Sequence, residues 1–251
     1  MQPAMSVTVN DPDVISAATM LMFMHLYFLS DPNADKREVV TVPFSEALID
    51  PWADYIRALG GKIKTKSSVP GLVFKDGKIV STTDDLETVY DHVVMAADIP
   101  GVRSILGNST VDEYSHAAVS ELVDRSHRMG IAPHYKVMRV WFQGRLNASR
   151  PDVLETPQHR PINLVARFDL LEKEFIEWAE ENNGTVIEYH MYNIKNDWVQ
   201  IRDPKEMWSK ISPTAFEIYP ELKDMPVLGF TIGQHDNFPS YAAKQEAYRY
   251  T

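Results

Sequence analysis

Residues 51–102 hold the pattern that most restricts how this chain can fold. Pro51 opens a stretch whose apolar side chains recur at spacings of three and four, and Gly60-Gly61 ends it. These side chains are Trp52, Tyr55, Ile56 and Leu59. A proline in the first turn, a spaced apolar face and a glycine C-cap predict a helix with one buried side.

Three further elements follow this helix within the same stretch. The run KIKTKSS (62–68) alternates as a short strand does, and Asp76-Gly77 lies between two apolar runs as in a β-hairpin. The unbroken apolar run HVVMAA (92–97) is typical of a strand buried on both faces, as in parallel sheets. We therefore expect an interior strand at 92–97.

The rest of the chain mixes helices and strands. Helical patterns occupy 14–30, 111–129, 170–182 and 204–219. β-rich runs occupy 136–142, 162–168, 186–192 and 227–232. This mixture predicts an α/β fold with α+β character, in which mixed sheets are layered with helices.

The most apolar run, VISAATMLMFMHLYFL (14–29), is too short for a comfortable membrane span and contains His25. We expect a buried helix, or one that lines a pocket for a long apolar ligand. Its methionines, Met20, Met22 and Met24, suit either role because their side chains adapt to irregular surfaces.

Composition excludes several classes of function. The net charge of −10 and the absence of a basic stripe argue against a nucleic-acid partner. The chain has no cysteine, which excludes disulfides, thiolate catalysis and cysteine-ligated metal. The first residues do not resemble a signal peptide, so we expect an intracellular protein, cytoplasmic or peripheral to a membrane.

One set of side chains resembles a metal site. His116, Ser120, Asp124 and His127 fall on one face of a helix over 111–129, and imidazole and carboxylate ligands suit zinc. A solvated helix face accounts for these residues better, so no metal ligand is assigned.

Residues 55–63 (YIRALGGKI) resemble a turn of the FAD-dependent amine oxidase and carotenoid (phytoene, zeta-carotene or carotenoid-ring) desaturase family. Val69 stands where a family valine lends its backbone to the flavin adenine, and 92–102 resembles the strand beneath the flavin. The later order HYKVMRVWF, LLEKEFIEWAEENNG and TVIEYHMY is similar to the substrate-domain elements of the carotenoid desaturase branches.

The resemblance implies a domain plan and a function. Residues 1–50 and 103–238 would form a substrate-binding domain, 51–102 the remnant of a Rossmann-like flavin-binding domain, and 239–251 a C-terminal tail. The implied activity is FAD-dependent dehydrogenation of a long apolar, carotenoid-like substrate, with Val69 as a cofactor-binding residue. His134 and His190 fall in or beside the substrate-domain strands, but no catalytic residue is assigned.

The resemblance covers the internal portion of a longer family protein. No G-x-G-x-x-G occurs among the 11 glycines, and the C-terminal flavin segment of the family is not matched. We therefore expect that this chain alone does not hold FAD stoichiometrically. An uncovered strand at 92–97 favours a complementary flavin-domain chain or self-association, with peripheral membrane contact as a weaker alternative. The other reading is a non-catalytic flavoprotein relic that binds an apolar ligand or serves in assembly.

Overall fold

The computed structural model describes residues 8–10, 13–33 and 38–243, and these residues group into two compact units. The first unit comprises 8–10, 13, 17–33, 38–63 and 133–236. The second unit comprises 14–16, 64–132 and 237–243.

In the described part of the chain, helices and strands alternate irregularly. The strands are β1 (Leu72–Lys75), β2 (Lys78–Thr82), β3 (Thr110–Val111), β4 (Tyr135–Gln143), β5 (Val153–Glu155), β6 (Leu164–Arg167), β7 (Gly184–Met191) and β8 (Val227–His235). The α-helices are α1 (Ala17–Met24), α2 (Asp50–Ala58), α3 (Ile99–Gly107), α4 (His116–Arg128), α5 (Phe168–Leu171), α6 (Lys173–Asn182), α7 (Asn196–Val199) and α8 (Pro204–Ile218). Short π-helical turns occupy His25–Leu29 and Ser45–Ile49, and a 3₁₀ turn occupies Pro220–Asp224.

The first unit is built on an antiparallel sheet of order β5-β6-β7-β4-β8. Alternation along β4 and β7 points one set of side chains into a dry core, where α8 packs against them. The fully buried members of this core include Met138, Val140, Phe142, Ile187, Tyr189, Met191, Met207, Ile211 and Ala215. The period of two along each strand leaves the other sheet face to a different set of residues.

The joint between α6 and β7 fixes how β7 enters the sheet. Asn183 ends α6 in the left-handed conformation (φ 47°), which asparagine tolerates better than most residues. At Gly184 an added Cβ would come within 2.6 Å of the Trp178 ring, so only glycine fits there. β7 then pairs with β4 so that Glu188 lies opposite Arg139.

The second unit contains a small sheet of order β2-β1-β3. The hairpin predicted around Asp76-Gly77 is confirmed, with both turn residues at positive φ (51° and 76°). Helices α3 and α4 cover this sheet through a core of Leu72, Phe74, Leu106 and Val119. Gly71 lies so close to the Asn108 carbonyl that a Cβ would overlap it, which brings the end of α3 against β1.

The predicted interior strand at 92–97 is wrong. The segment is extended but pairs with no strand among the described residues, and Val94 is 87% exposed. Val93 and Met95 pack against the second unit's core, so only one side of the segment is covered. A strand requires neighbours that take up its N–H and C=O groups, and an apolar run alone does not supply them. The strand predicted at 62–68 is also absent.

The expected burial of two helices is wrong as well. Within α1 only Thr19 is buried, and Leu21 and Leu29 of the 14–29 run are 70% and 71% exposed. Helix α2 forms as predicted, but its apolar side chains Trp52 and Tyr55 face solvent. Sequence periodicity shows which residues share a face and does not show what covers it.

The fold class is confirmed: the chain combines helices with sheets and has α+β character. Parallel and antiparallel pairing mix only in the small sheet of the described chain. The bounds of the compact units differ from the predicted domains because residues 103–132, which include most of α3 and all of α4, pack with the hairpin. The assignment of substrate and flavin domains stays a prediction.

Candidate functional site

An open groove in the second unit brings together two segments that the sequence singled out. It has a volume of about 440 Å³, within the range of roughly 300–1,000 Å³ that small-molecule sites occupy. Val69 and the extended segment 92–97 both line it. Its other lining residues are mostly apolar or aromatic: Leu72, Thr82, Tyr90 and Ile105.

Val69 has the exposure that a cofactor contact needs. Its side chain is 41% exposed, and no hydrogen-bond partner meets its backbone among the described residues. A planar ring system could therefore lie on the apolar wall and bond to this backbone. The role of Val69 in binding stays a prediction.

The start of α3 decides whether this region could also hold the pyrophosphate of FAD. The Asp98 carboxylate caps α3 by accepting the Gly101 N–H at 2.7 Å, and its other oxygen accepts from Asn237 Nδ2 at 2.8 Å. The Asn237 bond, and then the Gly101 bond, lower the pKa of Asp98, so this helix start carries a fixed negative charge. Because of this charge, the helix terminus does not suit the pyrophosphate of FAD.

The second candidate surface is the sheet face of the first unit that lies opposite its dry core. Four side chains form a continuous chain of polar contacts there. Arg139 donates to Glu188 Oε2 through Nε at 3.0 Å and Nη2 at 2.6 Å. Glu188 Oε1 lies 2.9 Å from His190 Nε2, and His190 Nδ1 lies 3.2 Å from the Tyr192 hydroxyl.

Burial and neighbouring charges set the protonation states of Glu188 and Tyr192. Burial alone would raise the pKa of Glu188, but the His190 hydrogen bond and the Arg139 charge outweigh it and lower the pKa. Burial raises the pKa of Tyr192, with further contributions from Tyr135 and two glutamates. Glu188 therefore stays ionised and Tyr192 stays protonated near neutral pH.

Two aromatic rings hold the Arg139 side chain, which is the first member of this series of polar contacts. The Arg139 guanidinium carbon lies 3.8 Å from the ring centroid of Phe168 and 4.5 Å from that of Phe175. Such stacking fixes the guanidinium plane and leaves its edge for the carboxylate.

Sequence reasoning singled out His190 but missed Arg139, Glu188 and Tyr192. The signal was present in the spacing. The period of two in a strand places residues 188 and 190 of β7, and residue 192 directly after it, on the same side of the sheet. The partner strand could not be known from the sequence, so Arg139 could not be paired with Glu188.

The other residues that the sequence singled out do not take part in this series of polar contacts. His134 has a buried Nδ1 that finds no hydrogen-bond partner among the described residues, and its carbonyl accepts the Ile194 N–H. His116, Ser120 and Asp124 line an open polar depression on α4, which His127 does not line. In the part of the chain that the structure describes, no three His, Cys, Asp or Glu side chains are placed to hold a metal ion.

Comparison with known proteins gives two curated relatives. The chain is 28% identical over 229 residues to the carotenoid phi-ring synthase of Streptomyces griseus, covering 87% of this chain and 41% of that protein. It is 27% identical over 125 residues to the carotenoid phi-ring synthase of Chlorobaculum tepidum, covering 50% of this chain and 19% of that protein. The chain is thus similar in sequence to two carotenoid phi-ring synthases.

Structural comparison finds a solved structure with a similar fold. The crystal structure of reduced UDP-galactopyranose mutase superposes with a TM-score of 0.57 and 9% identity, covering 76% of this chain and 38% of that one. No protein-family model matches the chain.

The resemblance noted in the sequence is thus confirmed at the level of the carotenoid-modifying relatives. The chain spans about two fifths of the length of the Streptomyces griseus relative. None of the described helices is both long and apolar enough to cross a bilayer.

Proposed function

We propose that this chain is part of an FAD-dependent oxidoreductase that dehydrogenates a long apolar, carotenoid-like substrate. The observation that carries the proposal is the alignment of 87% of the chain with a carotenoid phi-ring synthase. The groove of the second unit adds independent support, because Val69 and 92–97 line it together.

The residues of the groove would hold the adenine end of FAD. Leu72, Tyr90 and Ile105 offer apolar contacts to a planar ring, and the Val69 backbone offers one donor and one acceptor. When bound, FAD supplies a hydride acceptor. The pyrophosphate needs donors beyond those at the start of α3, which agrees with the expectation of weak binding by this chain alone.

The carotenoid-like substrate would contact the first unit beside His190. Val137 and Leu164 lie beside His190 on neighbouring strands and are partly exposed. Apolar side chains around a few polar groups are the usual make-up of a site for a mostly apolar ligand.

Titration of the chain with FAD, and separately with ADP, tests the groove. Val69→Asp places a carboxylate beside the ring and the phosphates, and binding should weaken on the order of tenfold through charge repulsion and lost apolar contact. Val89→Asp is the matched control, because Val89 is 75% exposed and lies outside the groove. Equal affinities for the two variants would exclude the groove as the FAD site.

A second assay tests the chemistry. The chain is mixed without oxygen with excess FAD and detergent-dispersed β-carotene, and loss of the visible absorbance of oxidised flavin is followed. Protein-dependent loss supports an oxidoreductase. Bound carotenoid with unchanged flavin would favour the non-catalytic relic instead.

A further inference from the structure

Dehydrogenation removes two hydrogens from neighbouring carbons, one as a hydride and one as a proton. FAD, when bound, would supply the hydride acceptor, and the proton needs an acceptor of its own, which a side chain of the protein can supply. A general base must lie within reach of that proton and must be held in an accepting state.

We infer that His190, oriented by Glu188 and contacted by Tyr192, is the proton acceptor of the first unit. The inference rests on the proposed function, and it deepens that function by naming the base.

The tautomer of His190 follows from its neighbours. Glu188 is an ionised acceptor, so His190 must present a protonated Nε2 to it across the 2.9 Å contact. In the neutral imidazole Nδ1 is then the unprotonated nitrogen, and the Tyr192 hydroxyl, 3.2 Å away, is placed to donate to it. This is a carboxylate–imidazole–hydroxyl arrangement, in which the carboxylate orients the ring and stabilises its cation.

Arg139 keeps the carboxylate in place. Both of its bonds go to Glu188 Oε2, which leaves Oε1 for His190. The Glu188 side chain is almost fully buried between these two partners, so it cannot rotate away without breaking strong bonds.

The proton transfer balances without another reactant. The C–H proton next to the carbon that loses hydride passes to Tyr192 Oη as the Tyr192 proton passes to His190 Nδ1. The products are an unsaturated bond, reduced flavin and an imidazolium paired with Glu188. Because burial raises the pKa of Tyr192, its hydroxyl conducts the proton and does not retain a negative charge.

Access to the pair comes from the side on which His190 lies, since Glu188 and Tyr192 are each only 8% exposed. The His190 side chain is 21% exposed, and Val137 and Leu164 lie opposite it on the flanking strands. An apolar chain lying across these two side chains would pass beside the acid–base pair.

Histidine-labelled protein tests the geometry directly by ¹⁵N NMR. We expect His190 as the Nε2-protonated neutral tautomer with a hydrogen-bonded Nδ1. Tyr192→Phe should change only the Nδ1 signal, and added β-carotene should shift that signal in the wild type. A protonated Nδ1 in the neutral ring, or a signal that β-carotene leaves unchanged, would overturn the inference.

The flavin-reduction assay tests the chemistry. His190→Gln and Tyr192→Phe should each slow reduction about 100-fold, within the usual contribution of a general base, at an unchanged half-saturating β-carotene concentration. The matched controls, His127→Gln and Tyr114→Phe, alter exposed residues of the second unit and should react as the wild type does. Urea unfolding of each variant shows whether it is folded.

The two proposals fail differently. If the wild type reduces flavin and both variants match its rate, the function stands and the assignment of His190 is wrong. If the wild type reduces no flavin, the proposed function fails, and the NMR signals then decide whether the acid–base pair still meets a polyene.

Discussion

At the scale of single residues, Glu188 is the side chain on which the first unit's polar face most depends. It joins Arg139 to His190 through separate oxygens, and it is buried. Removing its charge leaves a partly buried guanidinium without its charged partner, which is more costly than losing one exposed ion pair.

We expect Glu188→Gln to lower the free energy of unfolding by about 2 kcal/mol at neutral pH. Urea denaturation measures this, with Glu180→Gln on the exposed side of α6 as the control. Equal stabilities of the two variants would show that the Arg139–Glu188 pair is not needed in the folded chain.

The Arg139–Glu188 pair should also make the stability of the folded protein depend on pH in a direction that the pKa shift of Glu188 fixes. The pKa of Glu188 lies below its ordinary value of 4.5 in the folded protein, so the folded state binds fewer protons there than the unfolded state. The stabilisation is complete above about pH 4.5 and is lost as pH falls through the lowered pKa. The stability difference between wild type and Glu188→Gln should therefore shrink in acid, and a difference that grows would contradict the shift.

At the scale of elements, the close approach of α3 to β1 depends on Gly71. An added Cβ would overlap the Asn108 carbonyl, whereas Gly107, within α3, has open space around it. Gly71→Ala should destabilise the second unit by about 2 kcal/mol through overpacking. Gly107→Ala should stabilise it by about 0.5–1 kcal/mol through helix propensity.

Thermal unfolding of both glycine variants checks this pair of expectations. Opposite shifts in melting temperature are expected from the same chemical change at nearby positions. A lower melting temperature for both would mean that the space around Gly107 is not available to a methyl group.

Elements whose signals are local could be predicted from the sequence. The hairpin at Asp76-Gly77, helix α2 and the strands β4 and β7 all formed close to their predicted places. The strand prediction at 92–97 was wrong because a strand is defined by the strands it pairs with, and those lie far away in sequence. For the same reason His190 was a candidate, while Arg139, which lies opposite Glu188 on the neighbouring strand, was not.

At the scale of the whole molecule, apolar side chains remain uncovered along α1 and α2. Leu21, Leu26, Leu29, Trp52 and Leu59 are all exposed. Such side chains drive association when nothing else covers them.

We expect the purified chain to self-associate at high concentration and to bind ANS. Replacing Leu21, Leu26 and Leu29 together by glutamate should reduce the sedimentation coefficient toward that of a monomer, because charge prevents apolar association. Replacing three exposed polar residues of α6, Lys173, Glu177 and Glu181, by alanine is the control and should leave association unchanged. A wild-type monomer at high concentration would show that these side chains do not drive association.

The order β5-β6-β7-β4-β8 also has a consequence during synthesis of the chain on the ribosome. The interior strand β4 emerges before both of its neighbours, and its second neighbour, β8, emerges last of the sheet. Until then one edge of β4 stays open while its other edge already pairs with β7. The nascent chain therefore passes through a stage in which an interior strand is an edge, and slow translation of the stretch between β7 and β8 would prolong its exposure to other chains and to chaperones.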